Sequence, residues 1–168
     1  KNPSQALIHF EQAQALNQAS WQPFFLAGEV HRWGNNLTDA ETSYKRALDL
    51  IQPGPQKATV HSALVAVYLG KKDYAGAARH VMASRPHAPD MAANDRQLVG
   101  LYLEMGQEEK ALVYLERLAA DPSAGPELHE TIGWMRVDRK DYDRGIQSLQ
   151  IALERQPDPA RREVLSLE

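Results

Sequence analysis

Six histidines (His9, His31, His61, His80, His87 and His129) are the side chains of this 168-residue sequence best suited to ligate a metal or move a proton near neutral pH. Their spacing serves neither purpose. A zinc-protease helix places two histidines four apart with a glutamate between them, and no H-E-x-x-H or comparable ligand spacing occurs. Gly70-Lys71-Lys72 lacks the glycine spacing of a phosphate-binding loop and reads as a helix stop followed by solvated lysines. No serine sits in a G-x-S-x-G turn. Glu108-Glu109 falls at the start of a helix, where carboxylates oppose the positive end of the dipole, so solvated capping accounts for the pair. The sequence therefore predicts no catalytic residue, no metal-ligand set and no cofactor.

The same economy holds for composition. With no cysteine there are no disulfides or thiolate metal sites, which suits bacterial cytoplasm and periplasm alike and leaves the compartment open. A formal charge of −3 gives no basic footprint for nucleic acid. No apolar run approaches the roughly 20 residues that a membrane-spanning helix needs, and no secretory signal segment is present, so no membrane contact by this stretch is predicted.

The informative pattern lies in small residues. Ala6, Ala40, Ala77, Ala111 and Gly145 are separated by 34, 37, 34 and 34 positions. Each follows a polar or capping cluster, and an apolar or aromatic residue stands four positions later: Phe10, Tyr44, Val81, Leu115 and Leu149. Spacing of i, i+4 marks one helical face, and the prolines that close the last four stretches stop the helix because proline lacks an N–H and excludes the preceding turn. A second set of segments recurs in the same phase, carrying Phe24-Phe25, Val60-His61, Asp95-Arg96 and His129-Glu130, followed by His31, Tyr68, Tyr102 and Arg136. Two helices per period follow. His61 and His129 occupy the same phase, where the ring packs between helices and its nitrogen reaches solvent.

On these residues the chain resembles the tetratricopeptide repeat family, whose 34-residue helix–turn–helix unit follows the pattern W-x2-L-G-x2-Y, then Ala, an aromatic and Pro. Gly28 and Gly133 match the close-packing glycine, Tyr68 and Tyr102 the inter-helix tyrosine, Ala40, Ala77 and Ala111 the first alanine, Ala47 and Ala152 the second, and Pro89 and Pro157 the terminator. The pattern's first aromatic is replaced by Phe24, His61, Asp95 and His129, its tyrosine by Arg136 and its alanine by Gly145. The resemblance implies an all-α, right-handed α-solenoid. Residues 1–18 read as the second helix of a truncated repeat, residues 19–56, 57–91, 92–125 and 126–158 as four full repeats, and residues 159–168 as the start of a capping helix or of a next repeat. The chain is thus expected to be a fragment of a larger, bacterial-looking protein. Three extra residues fall in Gln52-Pro53-Gly54-Pro55-Gln56, which cannot extend a helix.

In that family the first helix of each repeat lines a concave groove. Carried across by phase, the groove residues are Phe25, Glu29, Arg32 and Trp33, then Ser62 and Leu69, then Arg96, Gln97 and Leu103, and finally Glu130, Trp134 and Asp138. Family members that clamp a peptide carboxylate need lysine, asparagine and arginine at positions where this chain has Phe25, Glu29, Ala63, Ala93 and Gln97, so that specificity is not expected. The expected function is a non-catalytic scaffold that takes a protein or peptide partner in the groove. Two alternatives stay open. One is the periplasmic repeat region of an envelope or exopolysaccharide export protein, with Trp33 and Trp134 stacking on sugar rings; the other is a regulatory array attached to a catalytic domain elsewhere.

Overall fold

The computed structural model describes residues 3–156, and the expected C-terminal helix over 159–168 lies outside them. Among the described residues there are nine α-helices of 11 to 15 residues and no strand. They are α1 (Pro3–Leu16), α2 (Gln22–Trp33), α3 (Leu37–Leu50), α4 (Gln56–Gly70), α5 (Tyr74–Ser84), α6 (Met91–Glu104), α7 (Glu108–Ala119), α8 (Pro126–Asp138) and α9 (Tyr142–Arg155). A single 3-10 turn, Arg85–His87, follows α5.

The helix boundaries have local causes. Pro23 and Pro126 sit in the first turns of α2 and α8, where an N–H has no intrahelical acceptor to lose. Asp73 caps α5, its side chain accepting from the Gly76 N–H at 2.7 Å. Four helix stops share one geometry. Asn35, Lys72, Gly106 and Lys140 have φ of 57°, 56°, 65° and 64°, and the following N–H reaches back to a carbonyl five residues earlier. These bonds are Asn36 to His31 at 2.8 Å, Asp73 to Tyr68 at 2.9 Å, Gln107 to Tyr102 at 2.8 Å and Asp141 to Arg136 at 2.9 Å. This left-handed stop satisfies end carbonyls and turns the chain back on itself.

The chain divides into two compact units, residues 1–94 and 95–168, with the boundary inside α6. In the first, α1 packs on α2, α2 on α3, α3 on α4, and α4 on α5. Its core is Ala40, Tyr44, Ala47, Val60, Leu64, Val67, Ala77 and Val81, all buried. The small residues are required by what lies opposite: a Cβ on Gly28 would stand 2.6 Å from the Tyr44 ring.

In the second unit α7 packs on α8 and α8 on α9, while Tyr102 of α6 stacks on Tyr114 of α7 with centroids 5.7 Å apart. Leu98, Leu101, Ala111, Leu115, Ile132 and Ala152 are buried here. Position 145, glycine where the other stretches have alanine, is buried against Val137 and the backbone of Gly133.

Candidate functional site

Of the groove residues on α2, two hold each other. The Arg32 guanidinium reaches Glu29 at 2.8 Å, and the Tyr44 hydroxyl of α3 donates to the same carboxylate. Burial raises the Glu29 pKa, but the hydrogen bonds from Arg32 and Tyr44 outweigh it and hold the carboxyl below its ordinary value. Burial and the bond to Glu29 push the Tyr44 hydroxyl up. Phe25 is half-buried, meeting Trp21 edge-on at 5.9 Å and Tyr44 at 5.5 Å. Trp33 differs, with 75% of its surface exposed at the last position of the helix. On α4, Ser62 is exposed and donates to its own helix at Ala58, while Leu69 is 44% exposed.

In the second unit Arg96 and Gln97 are exposed on α6 and Leu103 is 45% exposed. On α8, Trp134 and Glu130 are half-buried and Asp138 is exposed. The sequence-predicted residues therefore lie on α2 and α4 in one unit and on α6 and α8 in the other.

Several polar clusters escaped the sequence reading. Glu41 of α3 accepts from Lys45 at 2.6 Å, from Lys71 at 2.5 Å and from the Tyr68 hydroxyl at 2.7 Å. These three donors, against the opposing effect of burial, lower its pKa to about 2. Lys71 is exposed, as expected, and also ties the end of α4 to α3 through this pair. Glu109 likewise accepts from Arg139 at 2.6 Å across α7 and α8, besides facing the start of its own helix. The one readable signal was Glu41 four residues ahead of Lys45 on one helix face.

The departures from the repeat pattern also acquire partners. Arg136, standing for the tyrosine, donates to Ser148 at 2.7 Å, to the Arg144 carbonyl at 3.2 Å and to Glu116 at 2.6 Å, bridging α7, α8 and α9. At the first aromatic position Asp95 meets Arg117 at 3.4 Å and Phe24 lies under the Arg46 guanidinium at 5.7 Å. His61 has its Nδ1 3.1 Å from Nδ1 of His80. His61 and His129 are both buried between helices, each 8% exposed, and His129 Nε2 is enclosed without a hydrogen-bond partner. Burial drives the His129 pKa down.

Among the described residues no group of three histidine or carboxylate side chains could hold a metal ion, and no helix is long and apolar enough to cross a membrane. What the described surface offers is helix faces with exposed tryptophan and leucine, where Glu29 and Arg32 beside Trp33 already engage each other.

No family model and no curated protein sequence matches this chain. Solved structures do. YrrB, described as a TPR protein with an unusual peptide-binding site, superposes with a TM-score of 0.62 at 15% identity, covering 98% of this chain and 81% of its own. MamA (41-end) from Desulfovibrio magneticus RS-1 gives a TM-score of 0.58 at 22% identity over 90% of this chain and 84% of its own. A chain of the Naa15/Naa10 complex bound to HypK-THB gives 0.70 at 20% identity, covering 97% of this chain but 25% of that longer one. Together with the left-handed stops at Asn35, Lys72, Gly106 and Lys140 and the alternating helix packing, these likenesses identify the all-α fold as one of the tetratricopeptide solenoid type.

Proposed function

We propose that this chain is a non-catalytic interaction scaffold, and that a protein or peptide partner binds the exposed faces of α2 and α4 in one unit or those of α6 and α8 in the other. The observation that carries the reading is Trp33, a large ring left 75% exposed at the end of α2 while its charged neighbours Glu29 and Arg32 satisfy each other. A tryptophan brings wide contact area with few rotamers to freeze, which is why it concentrates binding energy when a partner covers it. Trp134 on α8, half-buried and with exposed Asp138 one turn on, is a second tryptophan on a first helix. That YrrB is described as having a peptide-binding site supports a peptide as the kind of partner.

The test uses the chain as bait. Partners captured from the source cell are titrated against Trp33→Ala and Trp134→Ala, with Asp49→Ala and Gln147→Ala on exposed second-helix positions as controls. Loss of affinity confined to the tryptophan variants supports the reading. Loss confined to the second-helix variants would transfer the working surface to the opposite faces.

A further inference from the structure

We propose that the His61–His80 contact is a proton-sensitive latch between α4 and α5, closed while both imidazoles are neutral and released when the pair takes up protons. The two Nδ1 atoms are 3.1 Å apart and the ring centroids 5.3 Å apart, and His80 stacks on the Tyr68 ring at 5.1 Å with 27° between planes. His61 is 8% exposed. At this separation one Nδ1 must donate and the other accept, so the neutral pair fits with opposite tautomers. Protonating both rings would set N–H against N–H.

The first added proton is also opposed by burial and by every charged group facing the pair except Glu41. Lys45 and Glu41 approach His80 from α3, and Arg79 flanks it on α5; His87 in the 3-10 turn and Lys57 at the start of α4 approach His61. Only Glu41 is anionic, and it already accepts from Lys45, Lys71 and Tyr68. Burial above all, then the neighbouring positive groups, pushes His61 down to about 4 and lowers His80 as well.

The direction of the pH effect follows. Above the ordinary histidine value of about 6.5, folded and opened forms both carry neutral rings and the latch contributes fully. Below it the opened form binds protons that the closed form refuses, so closure weakens as pH falls from 6.5 toward 4, by up to about tenfold per pH unit from His61 alone, and His80 adds to the loss in the same direction. One of the two helices affected, α4, presents Ser62 and Leu69, so opening would alter that face of the unit.

Residue-resolved amide exchange on the whole chain tests this, with opening constants for amides of residues 60–68 and 77–84 compared at pH 7 and pH 5. Wild type should open at least about tenfold more at pH 5 after correction for intrinsic exchange. The double variant His61→Leu/His80→Phe should lose that excess, because an apolar pair has nothing to protonate. Opening that is flat in wild type, or equally steep in the variant, would overturn the latch. Should the variant fail to fold, an NMR titration of the wild-type imidazoles decides. Both rings charging only below the ordinary value of about 6.5 supports the proposal, and either ring charging at about 6.5 or above refutes it.

Discussion

Gly133 and Gly145 face each other across α8 and α9 so closely that a methyl group on either would lie 3.2 Å from the other's carbonyl oxygen. The same methyl groups would stand 2.6 Å from Leu149 Cγ and 2.8 Å from Val137 Cγ2, respectively. Glycine at 145, where the other stretches have Ala40, Ala77 and Ala111, is thus matched to a partner helix that brings backbone, not just side chain, into contact.

The first prediction separates packing from helix propensity. Alanine normally gains about 1 kcal/mol over glycine inside a helix, and Gly100, with nothing within 4 Å of its absent Cβ, should show that gain as Gly100→Ala. Gly133→Ala should instead lose about 1–2 kcal/mol net, since overpacking outweighs propensity. Urea midpoints of the two variants, shifted in opposite directions, check the pair.

The left-handed stops make a second prediction. A Cβ costs roughly 1–2 kcal/mol in this backbone region, so Gly106→Ala, at φ 65°, should destabilise by about 1 kcal/mol although nothing stands near the new methyl. Lys72→Gly and Lys140→Gly, at φ 56° and 64°, should stabilise by about 0.5–1 kcal/mol each. Lys72→Gly leaves the Lys71–Glu41 pair intact, so thermal unfolding reads the backbone effect alone.

The helices and their stops were legible because a 34-residue period with i, i+4 pairs such as Ala40–Tyr44 and Ala77–Val81 needs only the geometry of a helix to be read. The partners across helices were not. Glu41 and Tyr68 are 27 residues apart, Glu29 and Tyr44 are 15, and His61 and His80 are 19. Repeat phase assigns such residues to helices, but which atoms meet depends on rotamers and on the few ångströms between axes, neither of which a hydrophobic period encodes. The pairing of Lys71 with Glu41 went unread for that reason. Arg136 shows the converse: a break in the pattern marked a residue that joins three helices.

Glu41 carries the third prediction. Its folded pKa of about 2 lies below the ordinary carboxylate value of about 4.3, so its contribution is complete above 4.3 and is lost as pH falls toward 2. The group is near the surface, and screening limits the effect to about 1 kcal/mol. Glu41→Gln should lower stability by that amount at pH 7 and by almost nothing at pH 2. A chemical-denaturation series at the two values measures the difference. An equal loss at both would mean that hydrogen bonding to Tyr68, not charge, is what the carboxylate supplies.

The last prediction concerns how a partner would divide its binding energy on α2. Trp33 is exposed and free to be covered, whereas Arg32 is held by Glu29 and would have to surrender that pair to serve a ligand. Truncating Trp33 to alanine should weaken a bound partner by at least about 1 kcal/mol, as expected of an aromatic anchor. Arg32→Ala should cost less than half as much in affinity, and should register in stability as well, because it leaves a part-buried Glu29 with Tyr44 as its remaining donor. Measuring both variants by calorimetric titration against one partner, alongside their urea midpoints, distinguishes the roles. If Arg32→Ala abolishes binding while Trp33→Ala spares it, the partner recognises the guanidinium, and the tryptophan is not the anchor of this face.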